Sequence, residues 1–435
     1  MSEAQSDPYA WFNEGKFGMF LHWGIYSLLG RGEQVMFREH LVPSEYRRLA
    51  DEFAVPNFDA REWARMARDA GMRYMVLTSK HHDGYCLFDS PGWEFDAPGT
   101  GPGRDLIAEY VEGCRAAGLR VGVYYSFQDW CFPVMFEGEG ADEDELEELV
   151  QKTHRDIEAL CSNYGKIDLM WFDGRWPLQD RWRPVEVDDM IRELQPEAMI
   201  TGDRLHGRPP QHTDNPFYRN ERPGYIASSE RRIQASEVEV PWEVCDINQH
   251  RWWGYVKWDG HYKTTTELVY LMAEAFGQGA NLLLNFGPKG DGSFPQRARE
   301  QLAGLGRFTE RSAEAIYGTS GANGLFEHLA FGDMTQRGET LYLWVKYWQG
   351  ETFHVAGLKS EVRGARVLGR EDIDVRVDRD GEHLYLRGLP ELPPDPDCTV
   401  IALDCDEQPE AYEWGQYRLH GHCPDPSVWR EWIDG

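Results

Sequence analysis

The stretch Leu169-Met170-Trp171-Phe172-Asp173-Gly174 opens with four apolar residues and ends abruptly in a carboxylate and a glycine. An apolar run of this length, closed by a charge and a turn signal, indicates a buried β-strand. In parallel α/β folds the chemistry is carried at the carboxyl ends of the strands. The position of Asp173 therefore predicts a functional carboxylate, although capping of a following helix would also explain it.

Five further apolar runs lead into polar or aromatic residues in the same way. Helix-length segments with an apolar period of about 3.6 residues, such as Leu106–Val111 and Ile157–Leu160, lie between them. This alternation predicts an α/β fold, a (β/α)8-like barrel of the TIM type with its functional residues after the strands. A Rossmann-type fold is less favoured, since no Gly-x-Gly-x-x-Gly follows an early strand. The five runs are Lys16–Leu21, Arg73–Thr78, Arg120–Ser126, Ala198–Thr201 and Asn281–Asn285.

The pattern changes near residue 320, where short runs with a period of two replace the strand and helix alternation. Such runs between turn residues predict an antiparallel β-sandwich. We therefore expect a catalytic barrel over residues 1–320, a β-sandwich over 321–411 and a C-terminal tail of unknown structure over 412–435. The alternating runs are Thr340–Val345, Ile373–Val377 and Thr399–Leu403.

Composition narrows the class of protein. The formal net charge of -29 argues against nucleic acid and anionic membrane surfaces as partners, because both require positive patches. No apolar stretch is long enough to cross a bilayer, and the polar first ten residues do not resemble a signal peptide. The eight cysteines form no Cys-x-x-Cys pair, and Cys86, Cys114 and Cys161 fall in predicted core elements. We therefore expect reduced thiols in a cytoplasmic protein.

Aromatic residues are abundant, with 17 tryptophans and an aromatic content of 13%. Tryptophans fill large cores, but aromatic rings also stack on the C–H faces of sugars while carboxylates, histidine and arginine bind the hydroxyls. Acidic residues among aromatics at the mouth of a barrel favour a glycoside hydrolase. The tryptophans at predicted strand ends or loops are Trp11, Trp23, Trp130, Trp171, Trp252 and Trp253.

Six motifs occur in order along the barrel region: Trp11-Phe12 with Lys16-Phe17-Gly18, His22-Trp23-Gly24, Lys80-His81-His82-Asp83-Gly84, Trp171-Phe172-Asp173-Gly174, Trp242-Glu243 with Trp253-Gly254-Tyr255, and Leu282-Leu283-Leu284-Asn285 with Gly287-Pro288 and Asp291-Gly292. Together, over roughly residues 8 to 320, they resemble the α-L-fucosidases of glycoside hydrolase family 29. The resemblance implies an irregular (β/α) barrel followed by a sandwich. It also implies retaining hydrolysis of terminal α-L-fucosyl groups on an oligosaccharide or glycoside, without metal or cofactor.

The resemblance assigns the two catalytic carboxyl groups. Asp173 matches the family nucleophile, and a retaining enzyme needs a second carboxyl group about 5–5.5 Å away to protonate the leaving oxygen. The family places that acid/base in a variable loop, where Glu230 is the best match, with Glu221, Glu237 and Glu243 as rivals. Such a group must be protonated at rest, so we expect a partly desolvated site and a raised pKa.

The resemblance also implies substrate-binding residues. His22, His81, His82 and Glu33 match residues that bind sugar hydroxyls, although buried histidines also serve structural roles. Arg204 matches an arginine beside the nucleophile that helps to keep it ionised. Trp171 fits the pocket wall together with one residue of the Tyr124-Tyr125 pair, and since alternate residues of a strand point to opposite faces, we choose Tyr124.

One departure from the family pattern concerns specificity. Related members commonly read Gly-Glu-Trp where this chain has Gly32-Glu33-Gln34. Loss of the indole would relax selection for the C5 methyl group of fucose, and an amide would bind a hydroxymethyl group. An α-L-galactoside or another α-L-glycoside is therefore an alternative substrate.

Four other interpretations stay open at this stage. His81, His82 and Asp83 are metal-ligand types, although no spaced third ligand accompanies the histidine pair. The Gly-rich segment Gly287–Gly292 lacks the Lys-Ser/Thr ending of a phosphate-binding loop and favours a simple turn. A non-catalytic sugar-binding protein or a transglycosidase would carry many of the same residues. The oligomeric state is also open, with a homo-oligomer among the alternatives.

Overall fold

Eight parallel strands pair in chain order and close into a barrel. The structure is a computed structural model, and it describes residues 7–137, 140, 142–207, 222–233, 239–258, 261–326 and 330–412. β1 pairs in parallel with both β2 and β8, which closes the sheet and leaves it without an edge. The strands are β1 Phe17–Leu21, β2 Tyr74–Lys80, β3 Arg120–Ser126, β4 Leu169–Asp173, β5 Met199–Thr201, β6 Tyr225–Glu230, β7 Trp242–Ile247 and β8 Asn281–Phe286.

The barrel strands are buried on both faces, as a near-continuous apolar sequence requires. Alternate side chains point inward and fill the barrel, which is therefore a packed core rather than a pore. Near the carboxyl ends of the strands, the side chains that fill the barrel are polar or aromatic. The inward side chains include Phe20, Val76, Tyr124, Leu169, Trp171, Met199, Ile226, Cys245 and Leu283.

The longer helices begin at polar caps that accept backbone N–H groups. Asp59, Asp105 and Asp142 cap α6, α7 and α9, and Thr264 with Glu267 forms a capping box at α12. The helices are α1 Ala10–Gly15, α2 Tyr26–Leu29, α3 Val35–Arg38, α4 Pro43–Tyr46, α5 Leu49–Glu52, α6 Ala60–Asp69, α7 Leu106–Ala116, α8 Val134–Glu137, α9 Glu143–Asn163, α10 Pro184–Leu194, α11 Gly202–His206, α12 Thr265–Gly277 and α13 Gln296–Ile316.

The C-terminal strands form two antiparallel sheets. The larger has the order β13-β16-β11-β10-β9 and the smaller the order β12-β15-β14. Apolar residues from both sheets, such as Leu343, Ile401, Phe353 and Leu386, share one core, so the sheets pack as a sandwich. The strands are β9 Ser320–Gly321, β10 Gly332–Arg337, β11 Thr340–Val345, β12 Thr352–Ala356, β13 Val362–Val367, β14 Arg376–Asp380, β15 His383–Arg387 and β16 Thr399–Cys405.

The chain divides by packing into two compact units. The first comprises Met1–Lys263 and Asn281–Gly306, and the second comprises Thr264–Ala280 and Arg307–Gly435. The second unit therefore includes α12, which precedes the last barrel strand in sequence. The predicted tail over 412–435 lies outside the described residues, apart from residue 412.

The predicted barrel and antiparallel sheets are confirmed, with two differences in detail. The sequence did not predict β6 and β7 as strands, because both mix polar with apolar residues. The run Ile373–Val377 was predicted as a strand, but β14 begins at Arg376. Ile373 and Val375 alternate because they pack against the sandwich core from the preceding turn, not because they pair in a sheet.

Among the described residues, seven cysteines are free and six of these are buried. No helix in the described ranges combines the length and the apolar character that a membrane span needs.

Candidate active site

A cavity of about 310 Å³ opens at the carboxyl ends of the barrel strands. This is the face that carries the functional residues of parallel barrels. All the predicted site residues except Arg204 line the cavity, and Arg204 contacts two of them. The predicted residues that line it are His22, Glu33, His81, His82, Tyr124, Trp171, Asp173 and Glu230.

Asp173 is the last residue of β4, and its side chain is 30% exposed to the cavity. The Tyr124 hydroxyl donates a hydrogen bond of 3.0 Å to Oδ2. Arg204 places Nη1 at 3.4 Å from Oδ1, and His82 places Nε2 at 3.7 Å from Oδ2. Three donors from three different elements therefore fix one carboxylate at the cavity wall.

These donors keep Asp173 ionised. Burial alone would raise the pKa of Asp173, but His82, the Arg204 cation, the Gly174 N–H and the Tyr124 hydroxyl together lower it below its usual value. The His82 pKa is itself lowered to about 4 by burial, so His82 is neutral near pH 7. Arg204 is the cation that persists at neutral pH.

Gly174 allows the close approach that this geometry needs. Its φ of +69° lies in the left-handed region, and an added Cβ would lie 2.8 Å from Ser126 Oγ and 3.2 Å from the Gln128 nitrogen. Only glycine combines that backbone conformation with so little space. Ser126 and Gln128 therefore restrict the position after Asp173 to glycine.

Arg204 lies in the short helix α11, directly after β5, and contacts both predicted catalytic carboxyl groups. Its Nη2 is 3.7 Å from Glu230 Oε2, while its guanidinium lies 4.8 Å from the centroid of the Trp171 ring. Burial opposes the charge on Arg204, yet the neighbouring Asp173 raises its pKa above the usual value. One terminal nitrogen of the guanidinium therefore faces Asp173 and the other faces Glu230.

Glu230 is the last residue of β6 rather than part of a loop, which corrects the placement expected from the sequence. Its side chain is 49% exposed, so the expected desolvation is incomplete in this structure. A water-accessible carboxyl group at the rim is well placed to exchange protons with solvent. The rivals Glu221 and Glu237 lie outside the described residues.

The remaining rival, Glu243, lies inside the barrel. Its carboxyl group accepts hydrogen bonds from Trp171 Nε1 at 2.7 Å and from the Tyr74 hydroxyl at 2.8 Å. Burial raises the pKa of Glu243 to about 7. Because both oxygens are engaged by these two side chains, Glu243 orients Trp171 and does not line the cavity.

His22 presents an acceptor to the cavity. Its Nδ1 lies 2.7 Å from Asn285 Oδ1, and the Asn285 amide nitrogen donates to the Trp253 carbonyl at 2.7 Å. The asparagine oxygen must therefore accept from Nδ1–H, which leaves Nε2 without a proton. Burial lowers the pKa of His22 to about 3, so this neutral tautomer is the form present near pH 7.

His82 presents a donor. Its Nδ1 lies 2.6 Å from Ser126 Oγ, while Nε2 faces the Asp173 carboxylate. A carboxylate favours a proton on the nitrogen that faces it, so Nε2 carries the hydrogen. The Ser126 hydroxyl then donates to Nδ1 at 2.6 Å in preference to the Gln128 carbonyl, which lies farther away at 3.3 Å. His22 and His82 therefore offer opposite hydrogen-bonding groups across one cavity.

His81 and Glu33 complete the polar lining. Burial lowers the pKa of His81 well below its usual value, and its Nδ1 has no hydrogen-bond partner among the described residues. Glu33 Oε2 accepts the backbone N–H groups of Trp253 and Gly254 at 3.0 and 2.9 Å. Burial raises the pKa of Glu33. Both side chains leave hydrogen-bonding capacity for a hydroxyl-rich ligand.

The geometry gives little support to the metal site and the phosphate-binding loop that the sequence left open. Asp83 accepts a hydrogen bond from the Tyr46 hydroxyl at 2.7 Å. The part of the chain that the structure describes contains no cluster of three or more metal-ligating side chains. The segment Gly287–Gly292 forms a turn in which Asp291 accepts from the backbone and hydroxyl of Ser293.

Sequence reasoning missed the groups that orient the ligand-facing residues. Asn285 fixes the tautomer of His22, Ser126 fixes that of His82, and the buried Lys80 donates to the carbonyls of Ser126 and Gln128 at 2.9 and 2.8 Å. Each lies within or beside a quoted motif, but only the three-dimensional contacts reveal its role.

Comparison with known proteins places this geometry in context. The profile of the family described as alpha-L-fucosidase matches residues 1–314. Plasma alpha-L-fucosidases of Pongo abelii and Homo sapiens are each 30% identical to this chain. Each match covers 71% of this chain, and the matches cover 70% and 69% of the two relatives, respectively.

Two solved structures are similar over nearly the whole chain. Alpha-L-fucosidase isoenzyme 1 from Paenibacillus thiaminolyticus has a TM-score of 0.83 and 32% identity, and covers 93% of this chain and 100% of its own. A trapped covalent intermediate of a family 29 alpha-L-fucosidase from Bacteroides thetaiotaomicron, with 2-fluoro-fucosyl fluoride, has a TM-score of 0.81 and 26% identity, over 93% of this chain and 97% of its own.

The buried Glu243 predicts a pH dependence of stability. A carboxyl group whose pKa rises from 4.5 to about 7 on folding binds its proton more tightly in the folded state. Its contribution to stability is therefore full below pH 4.5 and declines as the pH rises toward 7, by about 3 kcal/mol. Denaturant unfolding of wild type and Glu243→Gln from pH 4.5 to 8 measures this decline as a change with pH in the difference between their free energies of unfolding.

The exposed carboxyl variant Glu391→Gln serves as the control and should follow the wild-type curve. Curves for Glu243→Gln and wild type that stay parallel over this range would contradict the assignment of a buried, titrating Glu243.

Proposed function

The chain belongs to the alpha-L-fucosidase family, and from that premise we propose that it is a retaining exo-glycoside hydrolase that removes terminal α-L-fucosyl groups. The observation that carries the proposal is the ionised Asp173, held by Tyr124 and Arg204 at the wall of the cavity. The covalent intermediate trapped in the Bacteroides relative supports the retaining mechanism.

In the first step, Asp173 attacks the anomeric carbon as the bond to the leaving oxygen breaks. An attacking carboxylate must be unprotonated, and the contacts with Arg204 and Tyr124 supply that condition at neutral pH. The same contacts limit its basicity, which suits a group that must leave again in the second step. Hydrolysis of the fucosyl ester by water then restores the carboxylate.

Glu230 is the acid/base of this proposal. It donates its proton to the leaving oxygen in the first step and removes a proton from the attacking water in the second. Its position at the end of β6, on the second arm of the Arg204 guanidinium, supports this role. The rim location gives water access to it after the leaving group has departed.

The rest of the cavity suits a deoxy sugar. His22 Nε2 accepts and His82 Nε2 donates, so both fit hydroxyl groups, which can do either. His81 and Glu33 supply further hydrogen-bonding atoms, and the neighbouring apolar surface of Phe20 and Trp253 suits a methyl group. A hydroxyl-rich ring with one apolar corner, such as L-fucose, matches this distribution.

A second candidate substrate follows from Gln34, which lines the cavity beside Glu33. Its amide oxygen accepts a hydrogen bond from Arg38 Nε at 3.0 Å, which leaves the amide nitrogen as a donor. A donor at this position favours a hydroxymethyl group over a methyl group. An α-L-galactoside is therefore the alternative substrate of the same mechanism.

The cytoplasmic location of the protein stays a prediction.

Asp173→Ala should reduce kcat/KM for an aryl α-L-fucoside on the order of 10⁴-fold, because the covalent step loses its nucleophile. Release of the aryl alcohol, followed by absorbance, measures the change. The exposed Asp180, which lies a few residues further along the chain, provides the control variant Asp180→Ala. Activity that survives in Asp173→Ala would place the nucleophile elsewhere.

Glu230→Ala should discriminate between leaving groups. A dinitrophenyl fucoside needs no protonation and should keep kcat/KM within about tenfold of wild type, whereas an alkyl fucoside should lose on the order of 10³-fold. Added azide should accelerate turnover of the dinitrophenyl substrate and yield a fucosyl azide. Equal losses for the two substrates, without azide rescue, would exclude Glu230 as the acid/base.

Gln34→Trp tests the specificity. The ratio of kcat/KM for α-L-fucoside over α-L-galactoside aryl glycosides should rise by about tenfold, because an indole removes the donor for the hydroxymethyl group and packs on a methyl group. An unchanged ratio would show that Gln34 does not select the substituent at C5.

A further inference from the structure

Exposed aromatic side chains cluster at the mouth of the cavity. In the described ranges five aromatic residues are among the exposed large hydrophobics, and three of them, Phe37, Phe136 and Trp176, line this one cavity. Their exposed fractions are 52%, 57% and 69%. Exposed apolar groups gathered at one place indicate a binding surface, whereas scattered ones need no explanation.

The aromatic surface continues outward from the nucleophile. His82, 3.7 Å from Asp173, has its ring centroid 5.1 Å from that of Trp130. The Trp130 ring lies 5.3 Å from Phe37, and the Phe37 and Phe136 rings are parallel within 7° at a centroid distance of 6.2 Å. A ligand anchored at Asp173 would therefore meet apolar ring surface where it leaves the sugar pocket.

Gln128 holds this surface in place. The Trp130 indole N–H donates to Gln128 Oε1 at 2.9 Å, and Gln128 Nε2 donates to the Trp176 carbonyl at 2.9 Å. The Gln128 carbonyl in turn accepts from the buried Lys80 at 2.8 Å. The segments that carry Trp130 and Trp176 are thus tied to each other and to β2, so the surface does not have to be ordered by its ligand.

The charges around the cavity exclude an acidic ligand. Among the described residues that line it, the formally charged types are the three carboxyl residues Glu33, Asp173 and Glu230, and none is lysine or arginine. The net charge of -29 for the whole chain adds to the repulsion of anions. The ligand of the aromatic surface is therefore not an anion.

We propose that Phe37, Phe136 and Trp176 form the leaving-group subsite, and that this subsite takes an alcohol or phenol that carries no negative charge and has a broad apolar face. The inference rests on the proposed α-L-fucosidase activity. As the fucosyl–oxygen bond breaks and Asp173 bonds the anomeric carbon, the leaving oxygen keeps the bonding electron pair and takes the proton of Glu230. The apolar alcohol then departs along the aromatic surface.

The test compares substrates that share the fucosyl group and differ in the leaving group. Benzyl and methyl α-L-fucosides release alcohols of similar acidity, so their ratio of kcat/KM reports contacts of the ring. α-L-Fucosyl fluoride releases only fluoride, with its electron pair, and needs no leaving-group contact. The double variant Phe37→Ser/Phe136→Ser is measured against wild type and against the exposed aromatic control Tyr347→Ser from the second unit.

We expect the benzyl-to-methyl ratio to fall by about tenfold in the double variant, with turnover of fucosyl fluoride and the melting temperature preserved. Tyr347→Ser should behave as wild type. An unchanged ratio in the double variant would overturn the inference.

The two proposals fail in different ways in this experiment. Wild type that does not turn over fucosyl fluoride would contradict the proposed fucosidase activity itself. Wild type that turns over the fluoride but shows no preference for benzyl over methyl fucoside would contradict only the leaving-group subsite.

Discussion

The contact of Arg204 with Asp173 is the interaction on which the site depends. A carboxylate that is largely shielded from water is costly without a partner, and Arg204 is the partner that keeps its charge at neutral pH, since the surrounding histidines are neutral. The guanidinium also reaches Glu230 and stacks on Trp171. One side chain thereby fixes the charge of the proposed nucleophile, the position of the second carboxyl group and one wall of the cavity.

The order of the strands in the barrel makes this contact possible. Asp173 and Glu230 end β4 and β6, and Arg204 follows the intervening strand, so three neighbouring strands deliver the three groups to one face. Below them, Glu243 binds the indole of Trp171. The polar network thus extends inward from the cavity into the core, and the aromatic surface extends outward from it to the solvent.

Much of this could be predicted from the sequence, because the signal is local. Six barrel strands are apolar runs that end in polar residues, and the Asp173 motif has that form. β6 and β7 escaped prediction because Ser228, Ser229 and Glu230, or Glu243, interrupt the apolar pattern with groups whose partners are distant in sequence. The tautomers of His22 and His82 depend on Asn285 and Ser126, which lie far along the chain from them. Burial of individual carboxyl groups was likewise not predicted: Glu230 and Glu243 were both candidates for the acid/base, yet Glu230 is half-exposed and Glu243 is buried.

The most direct measurement is to trap the fucosyl-enzyme with 2-fluoro-fucosyl fluoride, digest the protein and locate the adduct by mass spectrometry. The account predicts one fucosyl group per chain, on the carboxylate of Asp173, with loss of activity in proportion to labelling. An adduct on Glu230 or another carboxylate, or hydrolysis that continues after full labelling of Asp173, would contradict it.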